Sequence, residues 1–359
     1  MKEGWEQKPF ESCIEPVEYT HKVQRKDFLV EGQFPIVSQE AEFTNGYWDD
    51  EDDVFKISKP VIIFGDHTQV LKFVDFDFVL GADGVKILQP RSFLWPKFFY
   101  YQLQAAELPS LGYARHYRLL KELEMCVPPL AEQQRIVCLF DKAFEGLATA
   151  KANAEKNLQN ARALFESHLQ SVFTQRGPGW VDTTLDKIST NLDSERIPIT
   201  KNVRTSGEYP YYGASGIVDY VADYIFEGDN LLVSEDGANL LARSTPIAFS
   251  ASGKYWVNNH AHILHFENMA TQRFAEFYLE SIKLDDYITG AAQPKLNQKA
   301  LNSIPIPIPK SIEMQAKIVE SVETLKEEAQ RLTRLYQRKL AALEELKKSL
   351  LHQAFSGEL

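Results

Sequence analysis

Side chains that could bind a ligand through several hydrogen bonds are concentrated in loop-like segments of the second half of the chain. These segments are rich in Tyr, Ser, Asn, Gln, Arg and Lys, which bond to base edges in the major groove of DNA and to phosphate oxygens. The residue types therefore favour nucleic-acid contact. The predicted contacts in this half are Tyr211, Tyr212, Ser215, Asn239, Arg243, Ser244, Asn258, Asn259, His260, Gln293 and Lys295.

The first half offers mainly cations as possible DNA contacts. Gly112 and Arg115 repeat the spacing of Gly290 and Gln293, which predicts a loop of the same kind in both halves. Solvated surface charge remains the competing interpretation for most of these cations. The predicted contacts in this half are Lys72, Lys86, Arg91, Arg115 and Arg118.

Gly213 and Gly216 have a simpler interpretation than a binding role. Both lie in the polar segment that follows Tyr211 and Tyr212. We predict a tight turn there in which both glycines adopt a positive φ.

Signatures of catalysis are missing from the sequence. It has no GxGxxG, no phosphate-binding P-loop, no HExxH and no amino-methyltransferase motif, so we expect no enzyme in this chain and no cofactor bound to it. His260 and His262 would share one face of a strand, as metal ligands can. No carboxylate or cysteine lies close to them in sequence, and the three cysteines form no CxxC pair, so we predict no metal site.

The charge of the chain argues for a partner. The net charge is -11, and residues 1 to 130 alone carry 14 basic and 21 acidic side chains. Because Lys and Arg supply most non-specific affinity for phosphate, we expect the isolated chain to bind DNA weakly. A basic partner subunit is implied.

The chain is an internal repeat. Residues 127 to 144 resemble residues 307 to 325, and at an offset of 182 Gln133 matches Gln315 and Ile136 matches Ile318. Apolar residues at steps of 3 or 4 form a stripe from Ile136 to Val172 and again from Ile318 to Ala354, and each stripe predicts a long, nearly straight helix of roughly 55 Å. In the second stripe Lys347 interrupts the pattern, and we expect Leu346 to replace it in the packing face.

Four segments follow from the repeat: a mixed α/β domain at 1 to 130, a long helix at 131 to 176, a second α/β domain at 177 to 309 and a second long helix at 310 to 359. In each domain an apolar run is followed by an acidic residue: Val61–Phe64 comes before Asp66, and Leu231–Val233 comes before Glu235. Such a run predicts a buried strand in each domain. The first ten residues lack an apolar stretch, and no run approaches the roughly 20 apolar residues of a membrane span, so we expect a cytoplasmic protein.

The architecture and several motifs together resemble the specificity subunits of type I restriction-modification systems. The motifs are VPPLAEQQRIV at 127 to 137, a GWxxxxL opening at 179 to 185, YPYYGASGIVDY at 209 to 220, NNHAHIL at 258 to 264 and GAAQPKLN at 290 to 297. The first domain has no clear counterpart of YPYYGASG and offers FPIVSQEA at 34 to 41 instead.

The resemblance implies a non-catalytic reader of an interrupted, asymmetric site in double-stranded DNA. It implies antiparallel packing of the two helices as a coiled-coil-like spacer, two methyltransferase subunits that carry S-adenosylmethionine and methylate adenine, and restriction subunits that cleave. Two alternatives stay open: a specificity subunit that serves methylation alone or another type of system, and a non-catalytic coiled-coil scaffold.

Overall fold

The computed structural model describes residues 4–81, 84–112, 114–290, 292–356 and 358. The chain divides into two compact units, one made of Met1–Glu155 with Arg338–Leu359 and the other of Lys156–Gln337. Each unit combines one α/β domain with a part of both long helices. In the described part of the chain, no helix is both long and apolar enough to cross a membrane.

The first unit contains short strands and three short helices before its long helix. The helices are α1 (Phe10–Cys13), α2 (Pro96–Ala105) and α3 (Tyr117–Leu120). The strands are β1 (Glu6–Pro9), β2 (Ile14–Glu15), β3 (Lys22–Val23), β4 (Phe34–Val37), β5 (Gly46–Trp48), β6 (Val54–Phe55), β7 (Val61–Gly65), β8 (Leu71–Val74), β9 (Phe78–Gly81), β10 (Val85–Pro90) and β11 (Glu124–Val127). The long helix α4 spans Leu130–Thr174.

The second unit is built in the same way, and the second long helix begins in it. Its strands are β12 (Trp180–Thr184), β13 (Thr190–Asn191), β14 (Ser206–Gly213), β15 (Gly216–Val221), β16 (Phe226–Glu227), β17 (Asn230–Ser234), β18 (Ala248–Ala251), β19 (Lys254–Val257), β20 (Ala261–His265), β21 (Ile288–Thr289), β22 (Lys295–Leu296) and β23 (Pro305–Pro309). Its helices are α5 (Leu185–Ile188), α6 (Asn239–Ala242), α7 (Met269–Ser281), α8 (Gln298–Asn302) and α9 (Ile312–Ser356).

The two units share the topology of two sheets. An antiparallel sheet has the order β2-β10-β7-β8 in the first unit and β13-β20-β17-β18 in the second. In a second sheet, β4 pairs antiparallel with β5 and parallel with β9, as β14 does with β15 and β19. The segment FPIVSQEA therefore occupies the place of YPYYGASG, the counterpart that the sequence comparison left unclear.

The apolar run in each domain is a central strand between two cores. Ile62 and Phe64 of β7 pack in the core beneath α2, whereas Val61 and Ile63 pack in the core shared with the second sheet. Alternate side chains of a strand point to opposite faces, so an uninterrupted apolar run is what burial on both faces requires. Leu231, Leu232 and Val233 of β17 divide between two cores in the same way.

The long helices pack antiparallel within the first unit. The ring of Phe140 lies 6.0 Å from that of Phe355, and Lys151 Nζ lies 2.7 Å from Glu344 Oε1, so residue numbers fall along α9 as they rise along α4. Each residue of the two predicted stripes is buried or half-buried. The mixed α/β fold with two long helices is thus confirmed.

The expectation for Lys347 was wrong. Its side chain stays in the stripe, where Nζ lies 5.4 Å from the centre of the Phe144 ring, and Leu346 is 48% exposed. The aliphatic stem of a lysine can cover apolar surface while its ammonium contacts an aromatic face, so the helix keeps its phase despite the charge.

A buried glutamine joins each long helix to its domain. Gln133 Oε1 accepts a hydrogen bond from Trp95 N (2.7 Å), and its Nε2 donates to the carbonyls of Phe93 (2.9 Å) and Pro128 (2.8 Å). In the second unit Gln315 Nε2 donates to the Pro309 carbonyl (2.7 Å) and Oε1 accepts from Thr271. The two glutamines match in the sequence repeat because each joins a long helix to the domain before it.

Candidate nucleic-acid interface

Four loops of the second unit converge beyond the end of β17. Ser234, its last residue, donates its hydroxyl to the Ala214 carbonyl in the β14–β15 turn. Glu235 N donates to the His260 carbonyl (2.9 Å), and Gly237 N donates to the Pro294 carbonyl (3.0 Å). Three sequence-distant segments are thereby fixed around the loop that follows β17, and we call this group the second loop cluster.

The second loop cluster exposes five of the predicted contact residues. They are Ser215, Asn259, His260, Gln293 and Lys295. His260 Nδ1 lies 2.8 Å from Asp236 Oδ2, and Lys295 Nζ lies 3.1 Å from Glu235 Oε1. These contacts hold two donors at the surface in defined positions.

Other predicted contacts in this unit have structural roles instead. Tyr211 is fully buried, Tyr212 packs edge-on against Tyr255, and Asn258 caps its loop by accepting from His260 N at 2.8 Å. The Arg243 guanidinium donates to the carbonyls of Leu279 and Ile282 at the end of α7. Because these groups are buried or used inside the fold, a DNA contact by them is not supported.

Asn239 and Ser244 stabilise a single small loop. Asn239 Oδ1 accepts hydrogen bonds from Ser244 Oγ (2.9 Å) and Thr245 N (3.0 Å), and its Nδ2 donates to the Thr245 carbonyl (2.9 Å). Ser244 is exposed and Asn239 is half-buried. This loop adjoins the second loop cluster through Gly237, so Ser244 remains a possible contact.

The turn between β14 and β15 is only partly as predicted. Gly216 has a φ of +117°, which confirms the expected positive value. Gly213 does not have a positive φ; a Cβ there would lie 2.9 Å from Val218 Cγ1. Gly213 is required by close packing rather than by backbone conformation.

A buried ion-pair network lies beneath the second loop cluster. His262 Nδ1 lies 2.5 Å from Asp193 Oδ2, and its Nε2 lies 2.7 Å from the Leu296 carbonyl. Arg196 Nη1 donates to Glu235 Oε2 at 2.7 Å. Both nitrogens of the His262 ring thus face oxygen atoms inside the fold.

The carboxylates of this network are acidified by their partners. Burial pushes the pKa of Asp193 upward, but its hydrogen bond and charge interaction with His262 outweigh burial and hold that pKa below its usual value. Burial also pushes the pKa of Glu235 upward. The hydrogen bond from Arg196 and the nearby His262 outweigh burial, so this pKa is lowered as well. Both side chains are therefore ionised at neutral pH.

Asp193, Glu235 and His262 are close enough to be considered as metal ligands. The fold brings these carboxylates to His262 although neither is near it in sequence, which the sequence argument overlooked. Their ligand atoms are already engaged by Arg196, by the Leu296 carbonyl and by each other. The donor set fits an ion-pair network better than a metal.

The first unit has an equivalent loop cluster beyond β7, which we call the first loop cluster. Asp66 N donates to the Gly84 carbonyl (2.7 Å), His116 N donates to the Asp66 carbonyl (2.8 Å), and Thr68 Oγ1 donates to the Gln39 carbonyl (2.6 Å). Gly84 has a φ of +88°, and a Cβ there would lie 2.8 Å from Gln39 Oε1. The loops after β4, after β7 and before α3 therefore meet here.

The cations predicted in the first half divide between this cluster and other places. Arg115 and Arg118 are exposed in or beside the cluster, and Lys86 Nζ lies 5.3 Å from the centre of the neighbouring Tyr117 ring. Arg91 follows the far end of the six-residue strand β10, about 20 Å away at about 3.3 Å per residue. It lies outside the cluster.

Lys72 cannot act as a surface cation in this structure. It is 3% exposed, and its Nζ donates to the Glu42 and Phe43 carbonyls and to Asn45 Oδ1. Burial lowers the pKa of Lys72, against the charges of Glu40 and Glu42. Its role is to hold the loop between β4 and β5.

Residues of the loop after β7 were missed by the sequence reasoning. His67 and Thr68 lie in the first loop cluster and are at least partly exposed. The available signal was their position directly after an apolar run that closes on a carboxylate. That signal located the loop but did not single out its side chains.

Comparison with known sequences points to one family. Residues 178–344 match the family model of the type I restriction modification DNA specificity domain. A Haemophilus influenzae protein named as a type I restriction enzyme specificity subunit is 33% identical over 168 residues, which cover 47% of this chain and only 41% of that protein. The EcoR124I/EcoR124II type I specificity subunit of Escherichia coli is 26% identical over 351 residues, covering 86% of this chain and 83% of that protein.

Solved structures share the fold. A chain from a study of complex assembly and conformational transition of the type I restriction-modification system superposes with a TM-score of 0.75 at 17% identity, covering 100% of this chain and 99% of that chain. The HsdS subunit from Thermoanaerobacter tengcongensis gives a TM-score of 0.59 at 16% identity, covering 100% and 98%.

Two α/β domains of one topology, each followed by a long helix and each with a loop cluster at the same sheet edge, make the chain a tandem repeat. Its second half is similar to the DNA specificity domain of type I restriction-modification systems, and its fold is that of the solved structures above.

Proposed function

We propose that this chain recognises a two-part DNA sequence, with one loop cluster contacting each part. The observation that carries the proposal is the equivalent construction of the two clusters. In each unit, loops from distant parts of the chain are tied by backbone hydrogen bonds to the residue after the central strand, Asp66 or Glu235. A rigid sheet edge that presents several polar loops is suited to reading base edges.

The side chains of the clusters support DNA as the ligand. The second loop cluster exposes amide, hydroxyl, imidazole and ammonium groups, and the first exposes guanidinium and hydroxyl groups. These groups bond both to bases and to phosphates. Because the two clusters expose different residues, we expect them to read different sequences, which makes the complete site asymmetric.

The long helices provide the spacing in this proposal. Each unit contains parts of both helices, and side chains of both enter its core, among them Phe140 and Leu351 in the first unit and Phe173 and Val322 in the second. A helix of 45 residues is too stiff to let the number of intervening base pairs vary freely. The bases between the two parts would be spanned rather than read.

Partner subunits supply catalysis in this proposal. Two methyltransferase subunits would bind S-adenosylmethionine and methylate adenine within each part of the site, and restriction subunits would join them for cleavage. The net charge of -11 supports the need for partners, because a strongly acidic chain repels the phosphate backbone. This chain contributes recognition and no catalytic group.

The test is to express the chain with the methyltransferase subunit encoded beside it in a bacterium that lacks adenine methylation, and to map methylated adenines across the genome. We expect one interrupted motif with two specified parts. A complex that forms but adds no methylation, and gives no sequence-dependent protection of DNA, would contradict the proposal and favour a scaffold. Adding the restriction subunit then separates a complete system, which cleaves unmodified DNA, from one that only methylates.

A further inference from the structure

The backbone assigns Arg115 and Lys295 to the same position in the two units. In the first unit, Asp66 N donates to the carbonyl of Gly84, the residue before β10, and His116 N donates to the Asp66 carbonyl (2.8 Å). In the second unit, Glu235 N donates to the carbonyl of His260, the residue before β20, and Leu296 N donates to the Glu235 carbonyl (2.8 Å). Arg115 and Lys295 each precede the residue that makes the returning bond.

This register differs from the one that the sequence suggests. The spacing from Gly112 and Gly290 aligns Arg115 with Gln293, two residues before Lys295. The hydrogen bonds show that the loop of the second unit is longer by two residues before the shared position. An exposed cation therefore stands at the same point of both clusters.

The residues around the two cations are different. Near Lys295, the second loop cluster exposes His260, which occupies the position of Gly84 in the first cluster. The first loop cluster exposes Thr68 from the loop after β7. Thus a positive charge is shared, whereas the neighbouring hydrogen-bonding groups are not.

We propose that Arg115 and Lys295 are equivalent phosphate contacts, one for each part of the site, and that the differing side chains around them read the bases. The inference rests on the proposed function. Two parts of an asymmetric site differ in base sequence but share the phosphate backbone, so a feature common to both clusters matches what both parts have in common. Phosphate contacts fix the orientation of a protein on the duplex, and base contacts determine the sequence.

The surroundings of Lys295 allow it to bind phosphate without leaving a buried charge unpaired. Its partner Glu235 is only 11% exposed, but Glu235 also accepts from Arg196 at 2.7 Å. If Lys295 turns toward a phosphate, Arg196 still neutralises Glu235. The Lys295 side chain is 51% exposed and is within reach of solvent.

The experiment measures salt dependence of binding by the complex of this chain with its methyltransferase subunits. Binding affinity is compared between wild type and three variants: Arg115→Ala, Lys295→Ala and the double variant. One duplex carries the motif that the methylation map identifies and the other a scrambled sequence, and the salt concentration is varied from about 50 to 200 mM. Arg91→Ala and Lys187→Ala are the controls, since each removes one cation at the other end of strand β10 or β20. Lys295→Arg tests whether charge alone restores binding.

The plot of log K against log salt has a negative slope. Each single variant should make this slope less steep by about 0.9, and the double variant should make it less steep by about 1.8. A slope change of about 0.9 alters the ratio of affinities at the two salt concentrations by about 3.5-fold. Both duplexes should be affected equally, the mapped motif should be unchanged, Lys295→Arg should keep the wild-type slope, and the two controls should match wild type.

Two results would overturn the inference. An unchanged slope in either variant means that its cation touches no phosphate, and a motif relaxed at one base means that it reads a base instead. Both leave the proposed function intact. If the wild-type complex itself fails to prefer the motif over the scrambled duplex, the proposed function fails first, and the inference falls with it.

Discussion

Replacing Gln133 by leucine should destabilise the first unit by about 4 kcal/mol. The side chain is fully buried and satisfies three backbone groups, the Trp95 N–H and the carbonyls of Phe93 and Pro128. Each buried group left without a partner costs about 1–3 kcal/mol, and the added apolar burial of leucine returns about 2 kcal/mol. The balance lies near 4 kcal/mol.

The equivalent change in the second unit should cost far less. When Gln315 is replaced by leucine, Thr271 can donate its hydroxyl to Asn268 Oδ1, which lies 2.9 Å away, and only the Pro309 carbonyl loses its partner. One unpaired buried carbonyl costs about 2 kcal/mol, and the added apolar burial of leucine returns about the same, so the net cost should lie below about 1 kcal/mol. The structure thus predicts an order of effects as well as their sizes.

Urea unfolding followed by hydrogen exchange separates the two units, because peptides covering β7 and β17 report on their own cores. Gln134→Leu is the matched control: its side chain is exposed, and the change should stay within about 0.5 kcal/mol. If Gln133→Leu costs less than about 1 kcal/mol, or no more than Gln134→Leu, the buried glutamine does not join the helix to the domain as described.

Three further predictions concern the cores and the ion-pair network. Phe140→Ala should cost about 3–5 kcal/mol in urea unfolding, because the ring is fully buried, whereas the same change at Leu139, which is 41% exposed, should cost little. Because the fold lowers the pKa values of Asp193 and Glu235, the stability that these carboxylates give the fold is fully present above their ordinary pKa values of 3.8 and 4.5 and is lost as pH falls below them. Asp193→Asn should therefore lower the free energy of unfolding by about 3 kcal/mol at pH 7 and make its dependence on acid pH shallower. An unchanged pH dependence would contradict this. Thermal melts should be the same with EDTA and with added zinc, and a metal-dependent shift of more than about 2 °C would mean that His262 binds metal.

The sequence was sufficient to predict the parts of the fold that have a strong period. The stripes through Phe140 and Val322 have helical spacing over many turns, and packing of one face leaves little freedom in their phase. The apolar runs at β7 and β17 are likewise constrained by burial on both faces. The internal repeat added a second, independent observation of each element.

The contact residues were harder to predict because loops obey no period. Tyr211 and Arg243 have residue types that suit DNA, but burial and the end of α7 decide what they do. The equivalence of Arg115 and Lys295 depends on backbone hydrogen bonds across sequence-distant segments, and loop lengths that differ by two residues hide it from spacing. The ion-pair network around His262 likewise joins residues that are about 70 positions apart.

The most direct test of the central claim is an exchange of residues 178 to 309 for the corresponding segment of a known type I specificity subunit, followed by mapping of methylated adenines. If each loop cluster reads one part of the site, one part of the motif should change to that of the donor, while the other part stays the same. A motif altered in both parts, or unaltered in both, would contradict the assignment of one part of the DNA site to each unit.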